Sequence, residues 1–166
     1  MRTGVALGSN LGDRLANLCA ARKAIVGLAG VKPPILASPV YETEPIGCEA
    51  GAGKFFNAIL EFDYDGDPAE LLEKLVQIEE SCGRRRDHGR NISRKIDLDL
   101  LYCGGVKIDN ERLRLPHPRM HLRKFVLQPL ADIRPDLNLP GLGKTLRELL
   151  AQLEDSTKVT RLTQAW

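Results

Sequence analysis

The chain of 166 residues carries 43% apolar and 28% charged residues, and its formal net charge is +2. These values are ordinary for a soluble globular protein, and they exclude an argument for nucleic-acid binding from bulk charge. The first ten residues lack the apolar stretch of a secretory signal, and no apolar run reaches the roughly 20 residues of a membrane helix. We therefore expect one cytoplasmic domain over residues 1–166, without membrane contact.

The first half of the chain alternates strand-like and helical patterns, separated by turn-forming residues. In chain order these are a strand over 5–7, a turn over 8–13, a helix over about 13–26, a proline-broken edge strand or loop over 31–43, a mobile loop over 48–54 and a strand over 55–64.

The strongest helix signal covers residues 67–83, where Asp67 can cap the helix, Pro68 suits its first position and Glu70 completes a capping box. Further elements follow in order: a basic stretch, a strand over 95–102, a turn and hairpin over 103–118, a helix over about 120–130 and a last helix over about 145–153. This order predicts a ferredoxin-like α+β fold, a split βαβ sandwich with an antiparallel sheet and helices on one face, plus a C-terminal extension.

The four cysteines are too scattered to suggest a metal site. Cys19, Cys48, Cys82 and Cys103 form no C-x-x-C pair, so we do not expect a zinc site. A chain of this length without a signal is also a poor candidate for a disulfide framework, and we expect reduced thiols.

Two aspartates interrupt the apolar strand "KIDLDLL" (95–101). Because side chains alternate along a strand, Asp97 and Asp99 face the same side, with Cα atoms roughly 6.5–7 Å apart. Two carboxylates at this spacing can share one divalent ion or clamp two, and oxygen ligands favour Mg²⁺ or Mn²⁺. The alternative is a solvated polar face, which antiparallel sheets often have.

Basic residues lie next to this pair. Guanidinium groups bind phosphate oxygens in pairs and stay charged, so Arg84, Arg86 and Arg94 beside two acids would form a polyphosphate clamp. The alternative is a solvated basic loop neutralised by nearby acids, which does not explain why the acids lie in an apolar strand. A second basic cluster contains His117, Arg119, His121 and Arg123.

The segment "GLGKT" (141–145) imitates the end of a phosphate-binding Walker A loop. The earlier glycine of that motif would fall at Asn138, and Pro140 interrupts the strand that should precede it. The sequence therefore predicts a turn that leads into the last helix.

Five motifs together resemble the 6-hydroxymethyl-7,8-dihydropterin pyrophosphokinase family of folate biosynthesis. They are "GSNLGDR" (8–14), "YETEPIG" (41–47), "FFNA" (55–58), "SRKIDLDLL" (93–101) and "LPHPRMHLRKFVLQPL" (115–130). The resemblance covers nearly the whole chain. It implies a ferredoxin-like fold and Mg²⁺-dependent transfer of a pyrophosphoryl group from ATP to the hydroxymethyl oxygen of the pterin, with release of AMP.

Residue roles follow from the same resemblance. It implies that Asp97 and Asp99 hold two Mg²⁺ ions and form the catalytic group together with Arg84 and Arg94. Arg112, His117 and Arg123 would contact ATP. Phe55 and Phe125 would sandwich the pterin ring, whose edge would meet Asn57, Thr43 and the backbone near Ile46. We expect a monomer whose loops 48–53 and 84–94 close over the substrates.

The chain departs from the family pattern at Asn91 and Ile92 in the basic loop, and at Phe55, where tyrosine is frequent. The role of Arg86 stays unassigned. Two other functions compete: a metal-dependent phosphohydrolase using the same carboxylates, and a ferredoxin-like RNA-binding domain. The latter would need basic residues interleaved with aromatic ones in a strand, which "FFNAILEF" (55–62) lacks.

Overall fold

The computed structural model describes residues 1–45, 51–83, 93–163 and 166. This part of the chain forms both strands and helices. The strands are β1 (Arg2–Ser9), β2 (Val31–Ala37), β3 (Val40–Thr43), β4 (Phe55–Tyr64), β5 (Asp97–Cys103), β6 (Ile108–Asp109), β7 (Arg114–Leu115) and β8 (Val159–Thr163). The helices are α1 (Arg14–Val26), α2 (Pro68–Ser81), α3 (Lys124–Ile133) and α4 (Leu146–Gln152), with a 3-10 turn (Met120–Leu122) before α3.

The main sheet is antiparallel, in the order β5–β1–β4–β3–β8, and β2 also pairs with β4. Strands β6 and β7 form a separate hairpin. The connections β1–α1–β2 and β4–α2–β5 make two interlocked βαβ units. The predicted ferredoxin-like fold is therefore confirmed.

Helices α1 and α2 cover one face of the sheet. Apolar residues recur on each helix at spacings of three and four, which places them on one side. Those of α1 (Leu18, Ala21, Ile25) and of α2 (Leu71, Leu75) are fully buried against β1 and β4. Asp67 caps α2 as predicted, because its carboxylate accepts a hydrogen bond from the amide of Ala69 at 2.7 Å.

The C-terminal extension covers the opposite face. Its helices α3 and α4 form a second apolar core with residues of β4 and β5. The members of this core are Ile59, Leu101, Tyr102, Met120, Val126, Leu127, Leu130, Leu139 and Leu146. The helices of the ferredoxin-like core thus lie on one face as predicted, and the extension supplies those on the other.

The structure differs from the sequence prediction at three places. Strand β1 runs on to Ser9, so Gly8 lies in a strand and not in a turn. Strand β8 was not predicted. The predicted helix over 120–130 is a 3-10 turn followed by α3, because Arg123 between them is extended and the amide of Lys124 donates to Asp155 at 3.1 Å.

Other predictions concern cysteines, the last helix and membrane spans. Cys19, Cys82 and Cys103 are free thiols, as expected, whereas Cys48 lies outside the described residues. The segment 141–145 is a turn, and Thr145 forms a capping box with Glu148 at the start of α4. Among the described helices, none has the length and apolar character needed to cross a bilayer.

A carboxylate is buried at the end of the sheet that lies far from the start of α3. Glu61 has no solvent exposure and accepts a hydrogen bond from the Tyr102 hydroxyl at 2.7 Å. Arg2 forms an ion pair with Glu61, and Nη1 of Arg134 lies 3.7 Å from Oε2 of the same carboxylate. This group ties β1, β4 and β5 to the end of α3.

We predict that Glu61→Ala lowers the free energy of unfolding by about 3 kcal/mol or more, because a buried hydroxyl and a partly buried guanidinium lose their acceptor. Urea denaturation measures this difference. The matched control is Asp63→Ala, which removes a half-exposed partner of the same Arg2 at 3.7 Å and should cost about 1 kcal/mol or less. Equal losses for the two variants would contradict the prediction.

Candidate active site

A cavity of about 290 Å³ opens on the face of the sheet that α3 covers, beside the start of that helix. Most of the residues predicted for the site line it. They are Thr43, Phe55, Asn57, Arg94, Asp97, Asp99, Arg123 and Phe125. The cavity is therefore assembled from β1, β3, β4, β5 and the first turn of α3.

Strand geometry places the two aspartates in this cavity. Asp97 and Asp99 alternate on β5 and lie opposite Gly8 and Ala6 of β1, which carry little or no side chain. Their side chains keep 29% and 40% of their exposure, open to the cavity. The prediction that both carboxylates share one face of a strand is confirmed.

Each carboxylate has a guanidinium beside it. Nη1 of Arg94 donates to Oδ1 of Asp97 at 2.8 Å, and Nη1 of Arg123 lies 3.5 Å from Oδ2 of Asp99. Arg94 precedes β5, whereas Arg123 comes from the extended residue before α3. Charges from two distant parts of the chain thus meet at the pair.

Burial raises the pKa of the Asp99 carboxyl, and the neighbouring charge of Asp97 raises it further. Although Asp99 faces the cavity, protein atoms surround it on its other sides and replace much of its water. The guanidinium groups of Arg123 and Arg94, and the His117 ring when it is protonated, oppose the shift without cancelling it. The ionised form of Asp99 is therefore disfavoured, and a nearby cation would stabilise it.

Aromatic and amide groups line the other end of the cavity. Phe55 begins β4 and Phe125 lies in the first turn of α3. The Asn57 amide is only 7% exposed and donates to the Thr43 hydroxyl at 2.8 Å, which leaves its oxygen and its second N–H for a ligand. This end suits a flat heteroaromatic ring with a donor–acceptor edge.

A second cavity of about 270 Å³ lies between α2 and the β6–β7 hairpin, and Asp99 lines it as well. Arg112 and His117 are here, with apolar walls from Leu72, Leu98 and Leu113. The Arg112 guanidinium is exposed and pairs with Glu73 at 2.5 Å. The structure thus divides the predicted residues between two adjoining cavities.

His117 is held in one tautomer. Its Nδ1 accepts a hydrogen bond from the amide of Arg119 at 3.2 Å, so a neutral ring carries its proton on Nε2. Burial lowers the pKa of His117 below its ordinary value, although Asp99 acts in the opposite direction. At neutral pH the ring is therefore an uncharged donor.

Some predicted residues lie outside the described part of the chain, and some lining residues were not predicted. The predicted residues outside the described part are Arg84, Ile46, Arg86, Asn91 and Ile92, together with 48–50 of the first loop and 84–92 of the second. The lining residues that were not predicted include Ala6, Gly8, Glu44 and Arg119. Arg119 could have been chosen from the basic cluster around His117, whereas nothing local marks Gly8 or Ala6.

The donor set suits a hard divalent cation. Within the described residues, no cluster of three His, Cys, Asp or Glu side chains could hold a metal by itself. Mg²⁺ is usually bound by one or two carboxylates, with water and substrate phosphates completing its shell. Asp97 and Asp99, two oxygen ligands facing a cavity, fit that pattern.

Comparison with known proteins identifies the family. The family model described as 7,8-dihydro-6-hydroxymethylpterin-pyrophosphokinase matches residues 4–135. The chain belongs to this family. It is 42% identical over 150 residues to the 2-amino-4-hydroxy-6-hydroxymethyldihydropteridine pyrophosphokinase of Pseudomonas aeruginosa, covering 90% of each chain. With the enzyme of the same name from Bacillus subtilis it shares 43% identity over 129 residues, which cover 78% of this chain and 75% of that one.

Solved structures agree with the fold. The wild-type HPPK-DHPS of Plasmodium falciparum, crystallised with pterin and p-hydroxybenzoate, matches with a TM-score of 0.68 at 16% identity. The match covers 91% of this chain and 42% of that longer one. The reaction of the pyrophosphokinase family is pyrophosphoryl transfer to 6-hydroxymethyl-7,8-dihydropterin in folate biosynthesis. The predictions of family, fold, enzyme class and reaction are therefore confirmed.

We predict that Asp99→Asn raises the midpoint of thermal unfolding at neutral pH in metal-free buffer. Because the pKa of Asp99 is raised in the folded protein, its protonated form favours folding. This contribution to the free energy of unfolding is fully present below about pH 4 and is lost as the pH rises through the pKa of the folded state. The amide removes this loss, so the difference between variant and wild type should grow from pH 4 to pH 7.

Scanning calorimetry over this pH range, with a chelator present, measures the effect. Asp109→Asn is the control, since Asp109 is 85% exposed and pairs only with Arg114 in the structure described. Added MgCl₂ should raise the midpoint of the wild type more than that of Asp99→Asn. A lower midpoint for Asp99→Asn at pH 7 would refute the prediction.

Proposed function

We propose that the chain transfers the pyrophosphoryl group of ATP to the hydroxymethyl oxygen of 6-hydroxymethyl-7,8-dihydropterin through Mg²⁺ held by Asp97 and Asp99. The pterin ring lies in the first cavity, between Phe55 and Phe125. The nucleotide enters from the second cavity, past Arg112 and His117.

The observation that carries this proposal is the position of Asp99, which lines both cavities. One cavity offers aromatic faces and an amide, as a pterin requires, and the other offers a guanidinium and an N–H donor, as a polyphosphate requires. Two substrates bound in adjoining cavities bring their reacting atoms together at the carboxylate pair. Positioning of this kind supplies a large part of catalysis in phosphoryl-type transfers.

In the reaction, a bond forms between the hydroxymethyl oxygen and the β-phosphorus, and the bond from that phosphorus to the oxygen shared with the α-phosphate breaks. AMP leaves with that oxygen, and the hydroxyl proton passes to solvent. Bound Mg²⁺ would neutralise charge on the phosphate oxygens. Arg94 and Arg123 orient the carboxylates and face the phosphates, while His117 donates from Nε2. Thr43 fixes the Asn57 amide against the ring edge.

The finer assignments belong to the same proposal. We propose two Mg²⁺ ions, since a carboxylate pair can clamp two ions about 3.5–4 Å apart. The roles of Arg84 and Ile46 rest on the family motif alone.

Residues 1–166 act as one domain, a proposal supported by the pairing of β8 with β3 and by the shared core beneath α3 and α4. A monomeric enzyme of the cytoplasm, with small-molecule partners and no nucleic acid, remains our prediction.

We predict that the wild type forms AMP from Mg·ATP only when the pterin is present. Asp97→Ala should lower kcat at least about 100-fold, because a carboxylate that would hold the charge-neutralising Mg²⁺ is lost. Chromatography of AMP measures the rate, and calorimetry should show weaker binding of Mg·ATP to the variant. Asp109→Ala is the control. Phosphate release without pterin would instead support a phosphohydrolase.

We predict that Phe55→Ala raises KM for the pterin about tenfold, corresponding to roughly 1.4 kcal/mol of lost ring contact, and leaves KM for ATP unchanged. Phe55→Tyr is the matched control because it keeps the ring face, and its KM should stay within about threefold of wild type. Steady-state kinetics with each substrate varied separately measure the KM values for the pterin and for ATP. An equal rise in both KM values would argue against a pterin-specific role.

A further inference from the structure

The two ends of the first cavity are joined across a single residue of β1. Gly8 pairs with Asn57 of β4 on one side and with Asp97 of β5 on the other. Residues directly opposite in a sheet share a face, so Gly8 lies between the amide at the ring end and the carboxylate at the metal end. The floor of the cavity at this point is bare backbone.

The fold itself does not require glycine at this position. Gly8 lies inside a strand that is paired on both sides and has no left-handed backbone angle. A Cβ added here would lie 3.4 Å from Oδ1 of Asn57, 3.8 Å from Cδ1 of Phe55 and 3.9 Å from Cβ of Asp97, all ordinary van der Waals distances. Alanine would therefore fit the protein.

Gly4, on the same strand and face, gives the contrast. A Cβ there would lie 2.4 Å from Cε1 of Tyr102, so the packed ring leaves no room for alanine. Gly4 thus serves the packing of the sheet. A Cβ at Gly8 would instead project among Phe55, Asn57 and Asp97, into the space that the cavity leaves open.

We infer that Gly8 determines which ring substituent the enzyme accepts, because the reactive arm of the substrate crosses β1 above this residue on its way from the ring site to the carboxylates. This inference rests on the proposed function. A ring held at Asn57 presents its hydroxymethyl oxygen to phosphates near Asp97 only if the arm passes over the backbone between them. A methyl group at position 8 would occupy that path.

The experiment compares Gly8→Ala with the wild type for two ligands, 6-hydroxymethylpterin and pterin without a substituent at C6. Binding is measured by calorimetry. We expect Gly8→Ala to lose at least about tenfold in affinity for the substituted ring and less than about threefold for the bare ring. Its kcat/KM for pyrophosphoryl transfer should fall at least about tenfold. Its thermal midpoint should equal that of the wild type or exceed it by about 2–4 °C.

Two variants serve as controls. Gly105→Ala, where a Cβ meets no atom within 4 Å, should change neither binding nor stability. Gly4→Ala should lower the thermal midpoint, as expected of a glycine that packing requires.

Three outcomes would overturn the inference: equal loss of affinity for the two rings, no loss for either, or a lower midpoint for Gly8→Ala, since that variant must keep the fold. The proposed function is tested separately, by AMP formation in the wild type, because the ratio of the two ligand affinities does not depend on turnover.

Discussion

The pairing of two like charges on one face of β5 is the constraint around which the site is arranged. Asp97 and Asp99 are neighbours on that face, and burial together with the charge of Asp97 raises the cost of ionising Asp99. The protein offsets part of this cost with Arg94 and Arg123, which come from two distant parts of the chain. A bound cation can offset the remaining part, so the carboxylate pair favours cation binding.

The C-terminal extension has two roles that depend on each other. Val126, Leu127 and Leu130 bury the second face of the sheet, and this packing fixes the start of α3 beside the strand ends. The amide that begins α3 is bound by Asp155, so the helix starts after Arg123 and leaves that residue extended. Its guanidinium consequently lies beside Asp99, and Phe125, two residues later, enters the cavity.

Sequence reasoning succeeded where the signal was local or carried by a motif. Asp67 and Pro68 mark the start of α2 by their own chemistry, and the alternation around Asp97 and Asp99 determines their common face. Sequence reasoning failed where residues far apart along the chain decide the structure together. Strand β8 forms because β3 offers a free edge, and α3 begins where Asp155 supplies a cap from 31 residues away.

The same limit applies to the cavities. The motif resemblance named the residues but could not separate them into two cavities, because that division arises from how the β6–β7 hairpin and α3 pack on either side of Asp99. Nor could it show that Gly8 and Ala6 form the floor between the strands. A glycine in the segment "GSN" indicates a turn when it is considered alone, and only the pairing of β1 with both neighbours makes it part of a strand.

Carboxylates at the two ends of the sheet show how structural and functional charges differ. Glu61 has no exposure, and its oxygens are met by a tyrosine and two arginines of the protein itself. Asp97 and Asp99 also have arginine partners, yet both open to cavities. A charge whose partners all belong to the protein stabilises one structure. A charge that keeps one side open can change partners, and a transfer enzyme needs that freedom because its substrates arrive and its products leave carrying charge.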